Sequence, residues 1–339
     1  MNFHRSQTNL PVLLLYNIDL HWLPEEIKEC VEVTERLAEA LREVGHQVTS
    51  LCLEDGDVAG LFQPYHPDEY IVFNWCEEIP GIPRSCFLVA HELEMLGFTF
   101  TGSDSCALSL SQNKHRVKRL LRSAGITTPH WQLYTSPDQI DWEQFPAIVK
   151  LAFEHSSIGI SRESVVQSRS ELVRRAQYLQ ETYRQPVLIE EFIDGREFHI
   201  GVVGNGLLQV LPPAEIDFSF FNDIHDRLCT YESNFDQDSL AYQATIPKLP
   251  AQLSSAELDR LEKLVSAAYR VIGCRDYARM DVRLRDGCFY VLDVNTNADI
   301  CPGNSLTLAA EMVGYSYGEF GSLLLNLASK RHPMLRSSR

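Results

Sequence analysis

The sequence predicts an α/β protein with more than one domain. Its 339 residues are 45% hydrophobic and 22% charged, which is typical of a globular protein long enough for two or three packed domains. Residues 12–16 are apolar without polar alternation, as in a strand buried on both faces of a parallel sheet. Residues 25–44 place apolar side chains at helical spacing and end before Gly45, a favourable helix terminator. Much later, residues 279–297 contain two β-prone arms joined by a turn.

The first 103 residues alternate strands and helices in the order β-α-β-β-α-β. This order is typical of a doubly wound domain, in which helices cover both faces of a parallel sheet. The predicted strands occupy residues 12–16, 47–53, 70–74 and 99–101, and the predicted helices occupy residues 25–44 and 87–96. We therefore predict an N-terminal α/β domain over residues 1–103.

Two further units follow, and both mix strands with helices. After helices over 105–111 and 114–124, the central unit has predicted strands at 147–151, 164–167 and 187–192 and a helix over 170–183. The third unit has a hairpin through Asn205-Gly206 between strands 197–203 and 207–211, a helix over 254–272, the 279–297 hairpin and a helical tail over 306–327. The predicted boundaries are 104–188 for the central domain, 189–330 for the C-terminal domain and 331–339 for a tail.

Charge and cysteine content argue against several classes of function. The formal net charge of -16 disfavours a nucleic acid or an anionic membrane as the main partner. The nine cysteines include no C-x-x-C pair, so we expect free thiols in a reducing compartment and no zinc site. The first apolar run, 11–16, is too short for a signal peptide or a membrane span. We expect a soluble cytoplasmic protein.

The 279–297 hairpin carries a candidate metal site. Asp281 and Asp293 lie on opposite arms of the hairpin, and Asn295 follows on the second arm. Two carboxylates and an amide oxygen are hard oxygen donors that suit Mg²⁺, an ion that often shares its coordination sphere with phosphate. An irregular polar segment, 295–299, leaves the strand where a ligand-binding loop is expected. The alternative is that these acids form the solvated face of a hairpin.

Lys150 and the loop that follows it, 154–159, form a candidate phosphate site. A lysine at the end of a buried strand supplies charge, while serine hydroxyls and backbone N–H groups of a small-residue loop donate hydrogen bonds. The segment lacks the G-x-x-x-x-G-K-[ST] pattern of a P-loop. The alternative is a turn between two strands with a surface lysine.

Glu190 and Glu191 close the second unit. Because adjacent residues on a strand point to opposite faces, one carboxylate would meet a ligand while the other is solvated. The alternative is an ordinary edge strand.

Four segments together resemble the D-alanine–D-alanine ligase branch of the ATP-grasp superfamily. They are residues 94–103 running into 111–114, residues 149–150 with 154–161, residues 190–198, and the 279–297 hairpin with its Asp293-Val294-Asn295-Thr296 run. Their order and spacing match the family from about residue 85 to residue 325. The resemblance implies a three-domain ATP-grasp fold, in which two α+β domains clasp ATP behind an N-terminal α/β domain.

The resemblance also implies roles for individual residues. Two Mg²⁺ ions, with Mn²⁺ as a possible substitute, would be bound by Asp281, Asp293 and Asn295. ATP would be bound by Lys114 and Lys150, by Ser156 and Ser157 in a loop over the phosphates, by the adenine-binding hinge Glu190, Glu191, Phe192 and Ile193, and by Glu197 at the ribose. Arg279, Ser156 and Asn234 would act in catalysis, and Arg279, Asn297 and Ser305 would contact the substrate.

The implied reaction is ATP-dependent formation of a C–N bond. A carboxylate would attack the γ-phosphate of ATP to give an acyl phosphate, and an amine would then displace the phosphate. The family's N-terminal G-G-x-S-x-E pattern is absent, Asp293 stands in place of glutamate, and the S-P-G after Asn-Thr is replaced by the longer segment 297–303. Asn234 occupies a position where relatives commonly have lysine. Most of these departures concern substrate recognition rather than nucleotide binding.

Three functions follow as hypotheses. We expect a specialised carboxylate–amine ligase, such as a tailoring enzyme that adds an amino acid to a mycosporine-type ring. The alternatives are a housekeeping D-alanine–D-alanine ligase of cell-wall synthesis and an ATP-binding regulator that has lost turnover. The implied partners are a small-molecule carboxylate and an amine. Because related ligases dimerise through the N-terminal domain, we also expect a homodimer.

Overall fold

The computed structural model describes residues 8–136, 140–155, 157–230 and 247–336. Three sheets with covering helices occur in sequence order, which confirms the predicted α/β class. The first is a parallel sheet in the order β2-β1-β3-β4. Its strands are β1 (Val12–Asn17), β2 (Val48–Leu53), β3 (Ile71–Asn74) and β4 (Thr99–Phe100). Most of β1 is buried, as its unbroken apolar run predicts.

The helices of this N-terminal region are α1 (Pro24–Glu43), α2 (Val58–Phe62) and α3 (Cys86–Met95). The sequence prediction missed α2, because five residues are too few to show helical periodicity. Asp57 caps this helix by accepting a hydrogen bond of 2.8 Å from the backbone N–H of Gly60. Asp57 is thus the local signal that marks its start.

The second sheet has the order β5-β8-β6-β7, and all of its neighbouring strands are antiparallel. Helices α4 (Ser105–Ser111) and α5 (Lys114–Ser123) precede it, and α6 (Arg169–Tyr183) packs on it. Its strands are β5 (Trp131–Tyr134), β6 (Ala147–Leu151), β7 (Val165–Val166) and β8 (Val187–Glu191). The prediction omitted β5, a four-residue edge strand that begins two residues after Pro129 of the Thr127-Thr128-Pro129 segment.

The third sheet contains the 279–297 hairpin. Its main path is β10-β9-β12-β13, and β11 pairs with β9. The strands are β9 (Arg196–Val203), β10 (Gln209–Val210), β11 (Ala214–Ile216), β12 (Tyr277–Arg285) and β13 (Cys288–Asn295). Asp286 and Gly287 both have positive φ, 52° and 74°, as a two-residue hairpin turn requires. The antiparallel pairing of β9 and β10 confirms the predicted Asn205-Gly206 hairpin.

The last helices are α7 (Ser255–Ile272), α8 (Ser305–Met312), α9 (Tyr317–Ser329) and α10 (Pro333–Arg336). The predicted tail over 306–327 is therefore two helices, separated at Gly314, which has a φ of 95°. Helix α9 packs against α1, where Gly318 faces the carbonyl of Ala40 so closely that a Cβ would lie 2.2 Å from its oxygen. Within the described residues, no helix is both long and apolar enough to cross a membrane.

Candidate active site

The two arms of the β12–β13 hairpin bring the predicted metal ligands together. Asp281 lies directly opposite Asp293, and Arg279 lies directly opposite Asn295. Because directly paired residues of antiparallel strands share a face of the sheet, the two carboxylates point to the same side. A bulge after Asp281 inserts one extra residue into β13 and leaves this pairing intact. The oxygen donors on this face fit the requirements of a hard divalent cation such as Mg²⁺.

Asp293 is held by two ammonium groups. Its carboxylate lies 2.8 Å from Nζ of Lys114 and 3.4 Å from Nζ of Lys150. The backbone N–H of Lys114 donates to the carbonyl of Ala152 just beyond β6, which places the start of α5 beside the end of that strand. Burial alone would raise the pKa of Asp293, but the two lysines outweigh it and hold the pKa well below its usual range. Asp293 is therefore ionised, as a metal ligand must be.

Glu190 forms the second half of this charge network. Its side chain is 2% exposed and lies 3.1 Å from Nζ of Lys118 and 2.9 Å from Nζ of Lys150. Burial would lower the pKa of Lys150, but Asp293 and Glu190 reverse the shift and raise it. In contrast, burial lowers the pKa of Lys118 to about 8 despite the nearby Glu190. Lys150, which pairs with two carboxylates, therefore holds its proton more strongly than Lys118, which pairs with one carboxylate.

Lys118 was missed by sequence reasoning. It is four residues after Lys114 on α5, so the two lysines share one helix face, and that spacing is the signal that would have found it. Its ammonium also donates to Oγ1 of Thr128 at 3.0 Å and to the carbonyl of Leu292 at 3.2 Å. Lys118 therefore ties α5 to the β13 strand that carries Asp293.

Asp281 has a different set of partners. Its carboxylate accepts hydrogen bonds from Nε and Nη2 of Arg279 at 2.8 and 3.1 Å, and from the amide of Asn295 at 2.9 Å. Burial would lower the pKa of Arg279, but Asp281 outweighs it and raises that pKa, so the guanidinium stays charged. The structure thus brings all three predicted metal ligands and the predicted catalytic arginine into one cluster.

Glu197 lies beside this cluster on β9. Its side chain is 8% exposed, and its Oε2 accepts a hydrogen bond of 2.7 Å from Nε of Arg283. Arg283 also donates to the carbonyl of Ile193 at 2.8 Å and covers the ring of Phe192 at 4.7 Å from the ring centroid. Burial would raise the pKa of Glu197, but Arg283 lowers it to about 2. Arg283, another residue that sequence reasoning missed, therefore links Glu197 to the predicted hinge.

The predicted hinge residues divide between two faces. Glu190 points into the lysine network, whereas Glu191 points to the other side and accepts a hydrogen bond of 2.5 Å from Arg285. Phe192 and Ile193 are both buried, and the backbone N–H of Phe192 donates to the carbonyl of Pro146 at 3.0 Å. The prediction that adjacent acids point to opposite faces is confirmed.

The predicted phosphate loop folds back towards the site. Ser157 adopts a φ of 58° and donates from Oγ to the carbonyl of Cys229 at 3.0 Å. Burial, followed by the charge of Lys114, lowers the pKa of the neighbouring His155 to about 4, so its imidazole is neutral at pH 7. Sequence reasoning gave His155 no role. The predicted catalytic residues Ser156 and Asn234 lie outside the described residues.

The predicted substrate contacts lie along the far end of the cluster. The hydroxyl of Tyr277 donates to Oδ1 of Asn297 at 3.2 Å. Ser305 begins α8, and its Oγ lies 3.5 Å from Nδ1 of His199. His199 pairs with Asp281 across β9 and β12, so it faces the same site. Sequence reasoning missed His199 because nothing in its own segment indicates that β9 pairs with β12.

Comparisons with known proteins identify the class. The family described as D-ala D-ala ligase C-terminus matches residues 120–326. An uncharacterized protein y4sG from Sinorhizobium fredii is 30% identical over 308 residues, covering 88% of each chain. A D-alanine–D-alanine ligase from Aquifex aeolicus is 28% identical over 294 residues, covering 85% of this chain and 92% of that protein.

A solved structure agrees with the sequence comparisons. The D-alanine–D-alanine ligase from Bacillus anthracis, complexed with ATP, superposes with a TM-score of 0.73 at 18% identity, covering 97% of this chain and 100% of that one. The fold and site therefore define an ATP-grasp enzyme, an ATP-dependent ligase that forms C–N bonds. The chain belongs to the D-alanine–D-alanine ligase family.

Proposed function

We propose that this enzyme activates a carboxylate with ATP and joins it to an amine through an acyl phosphate, and that its substrates are specialised rather than two D-alanines. The observation that carries the proposal is the pairing of Asp281 with Asp293 across the hairpin, beside Lys114 and Lys150. This arrangement suits a metal-bound polyphosphate, because the opposed carboxylates would bind the metal and the two ammonium groups would bind phosphate oxygens.

The residue assignments follow from this geometry and from the family resemblance. Asp281, Asp293 and Asn295 would bind Mg²⁺, as two ions or with Mn²⁺ in its place, and the metal would neutralise charge that develops on the phosphates. Lys114 and Lys150 would contact phosphate oxygens, under the loop of Ser156 and Ser157. The hinge from Glu190 through Glu191 and Phe192 to Ile193 would bind adenine, and Glu197 would accept hydrogen bonds from the ribose hydroxyls.

The remaining assignments concern the reacting groups. Arg279 lies 2.8 Å from Asp281 and would stabilise the tetrahedral intermediate that forms when the amine attacks. Ser305 and Asn297 would contact the acceptor end of the substrate. Asn234 would lie over the phosphates, where relatives commonly carry lysine. A closed loop would exclude water, because the acyl phosphate otherwise hydrolyses.

The region at the end of β1, where the family binds the first amino acid, supports a specialised substrate. The family's G-G-x-S-x-E pattern is absent at the end of β1, where Oδ1 of Asn17 instead accepts a hydrogen bond of 2.9 Å from the backbone N–H of Glu77. Desolvation, followed by the charges of Asp299 and Glu78, raises the pKa of Glu77 to about 7. A bound ammonium would relieve this repulsion, so Glu77 would help to recognise the amine-bearing part of a substrate.

The test measures ATP-dependent phosphate release with Mg²⁺ against pooled D-amino acids, pooled L-amino acids and larger carboxylates, with products identified by mass. We expect release only with a pool other than D-alanine alone. Formation of the D-alanine dipeptide with D-alanine alone would instead establish the housekeeping activity. ATP binding without turnover in any pool would favour the regulator, and a gain of turnover in Asn234→Lys would then support that alternative.

We also propose a homodimer and the domain division 1–103, 104–188, 189–330 and 331–339. Leu20 and Leu23, just before α1, are 69% and 63% exposed, and an apolar surface there suits an interface through the N-terminal domain. Sedimentation should give the mass of two chains. A mass close to one chain, 38.6 kDa, at micromolar concentration would contradict the dimer.

A further inference from the structure

The fold brings together three donor side chains that lie apart in sequence. Glu197, His199 and Cys229 each offer one ligand atom, and these atoms all lie within 4.8 Å of one another. Glu197 and His199 are two residues apart on β9 and therefore share a face, while Cys229 comes from the segment that follows β11. Among the described residues, this is the one group of three or more His, Cys, Asp or Glu side chains with such spacing.

The distances between the donor atoms suit a thiophilic cation with tetrahedral coordination. Oε1 of Glu197 lies 3.6 Å from Nε2 of His199 and 3.7 Å from Sγ of Cys229. Zinc bonds of about 2.0–2.1 Å to nitrogen or oxygen and about 2.3 Å to sulfur imply donor separations of roughly 3.3–3.6 Å in a tetrahedral site. The two separations that involve Glu197 are therefore close to those of a tetrahedral site, and His199 and Cys229 lie within 4.8 Å of each other.

Neighbouring groups already orient the donors. Arg283 binds Oε2 of Glu197 at 2.7 Å, so Oε1 is the oxygen that faces His199 and Cys229. Nδ1 of His199 lies 3.5 Å from Oγ of Ser305, an arrangement in which the outer nitrogen contacts a hydroxyl while Nε2 faces a metal. Oδ1 of Asp281 lies 3.9 Å from Nε2 of His199 and offers a further oxygen at the edge of the site.

We propose that Glu197, His199 and Cys229 bind Zn²⁺ or a similar thiophilic divalent cation, and that this ion excludes the nucleoside part of ATP. The exclusion rests on the proposed role of Glu197 at the ribose, because one carboxylate cannot serve both ligands. The site borders the proposed Mg²⁺ site at Asp281, and it differs from Asp293 and Asn295 in offering nitrogen and sulfur donors as well as oxygen. It provides a way for free zinc to inhibit the ligase.

The sequence predicts no zinc site because it contains no C-x-x-C pair. The proposed donors could not be found in that way, because they come from separate segments of the chain. The sulfur donor comes from Cys229, 30 residues beyond His199 in the numbering, so no short motif contains the set. Zinc binds the thiolate form of cysteine, so metal binding at Cys229 would release the thiol proton.

The first experiment tests metal binding without nucleotide. The full chain, free of any metal-binding tag, is titrated with Co²⁺, whose bond to a thiolate gives a charge-transfer band, and with Zn²⁺ against a chromophoric chelator. We expect the band in the wild type and in Cys106→Ser, a matched control at an exposed cysteine in α4. Cys229→Ser should lose the band and bind Zn²⁺ at least about 10-fold more weakly, since ligand removal costs at least as much as loss of a supporting contact.

Two outcomes of this titration would overturn the site: the band is absent from the wild type, or Cys229→Ser binds Zn²⁺ as tightly as Cys106→Ser does. His199→Asn provides an independent second variant. Thermal melting of each metal-free variant ensures that the comparison is made between folded proteins.

The second experiment tests exclusion. Adenosine replaces ATP as the probe, because it lacks the phosphates that would themselves chelate zinc. At a Zn²⁺ concentration that saturates the wild type but leaves Cys229→Ser largely metal-free, we expect adenosine binding to weaken by at least about 10-fold in the wild type and in Cys106→Ser, and to change little in Cys229→Ser. If Zn²⁺ binds in the first experiment but leaves adenosine affinity unchanged, exclusion and the ribose role of Glu197 are both wrong, while the metal site stands.

Discussion

The Glu190→Gln substitution tests the buried charge network. Glu190 is the only carboxylate within ion-pair distance of Lys118 among the described residues, and the two side chains are 2% and 1% exposed. At 2.9–3.1 Å, each pair with Lys118 and Lys150 has a Coulomb energy of about 5 kcal/mol at an effective dielectric constant of about 20. Repulsion between the lysines and the cost of desolvation offset part of this energy, so we expect a loss of about 3–5 kcal/mol in the free energy of unfolding.

Glu191→Gln is the matched control, because it makes the same chemical change one residue away on the opposite face of β8. Its partner Arg285 is 31% exposed and Glu191 is 26% exposed, so loss of this pair should cost about 0–1 kcal/mol. Thermal unfolding followed by circular dichroism measures both variants. At roughly 2 °C per kcal/mol, Glu190→Gln should melt about 6–10 °C below the wild type. Melting of the two variants within about 2 °C of each other would refute the network.

Three other predictions follow from the site and from the contacts around it. Asp293→Asn should lower Mg²⁺-dependent phosphate release by about 100-fold or more with the fold retained, because the carboxylate between Lys114 and Lys150 is the proposed metal ligand; activity close to that of the wild type would contradict this assignment. Burial lowers the pKa of Lys118 from 10.5 in the unfolded chain to about 8, so between these values the unfolded state holds more protons and stability should rise with pH. Urea unfolding at several pH values should show a smaller rise in Lys118→Met, and an equal rise would exclude the shift. Asp276, which accepts two hydrogen bonds of 2.7 Å from Arg331 and one of 2.9 Å from Gly102, is fully buried, so Asp276→Asn should destabilise the chain by about 3 kcal/mol in the same measurement. The turn variant Asp286→Asn, where asparagine tolerates the φ of 52°, should be neutral, and equal losses in the two variants would be the contrary result.

Local sequence pattern predicted most of the longer elements and the hairpin that carries the proposed metal ligands. The alternation of β12 and β13, together with the Asp286-Gly287 turn, fixes the register that places Asp281 opposite Asp293. The helical spacing of Lys114 and Lys118 also contained the information needed to find the second lysine. Short elements such as α2 escaped because five residues give no measurable period.

The rest of the site depends on contacts between distant segments. Nothing near Arg283 indicates that it reaches Glu197, because the pairing of β12 with β9 brings them together. Likewise, Cys229 joins Glu197 and His199 only in the folded chain. Pairing between strands far apart in sequence is set by the whole core rather than by any one segment, so a single sequence read locally cannot supply it.

The packing of α9 has a consequence for the order in which the protein folds during synthesis. Phe320 and Leu324 of α9 belong to the same buried cluster as Val12 of β1 and Leu37 of α1. The first sheet emerges early from the ribosome, but part of its apolar surface is covered only by a helix made near the end of translation. Until residues 317–329 have been made, that surface is exposed to solvent, and a chaperone that binds apolar segments has time to engage it. A fragment limited to residues 1–103 should accordingly be far less stable than the same sheet in the full chain.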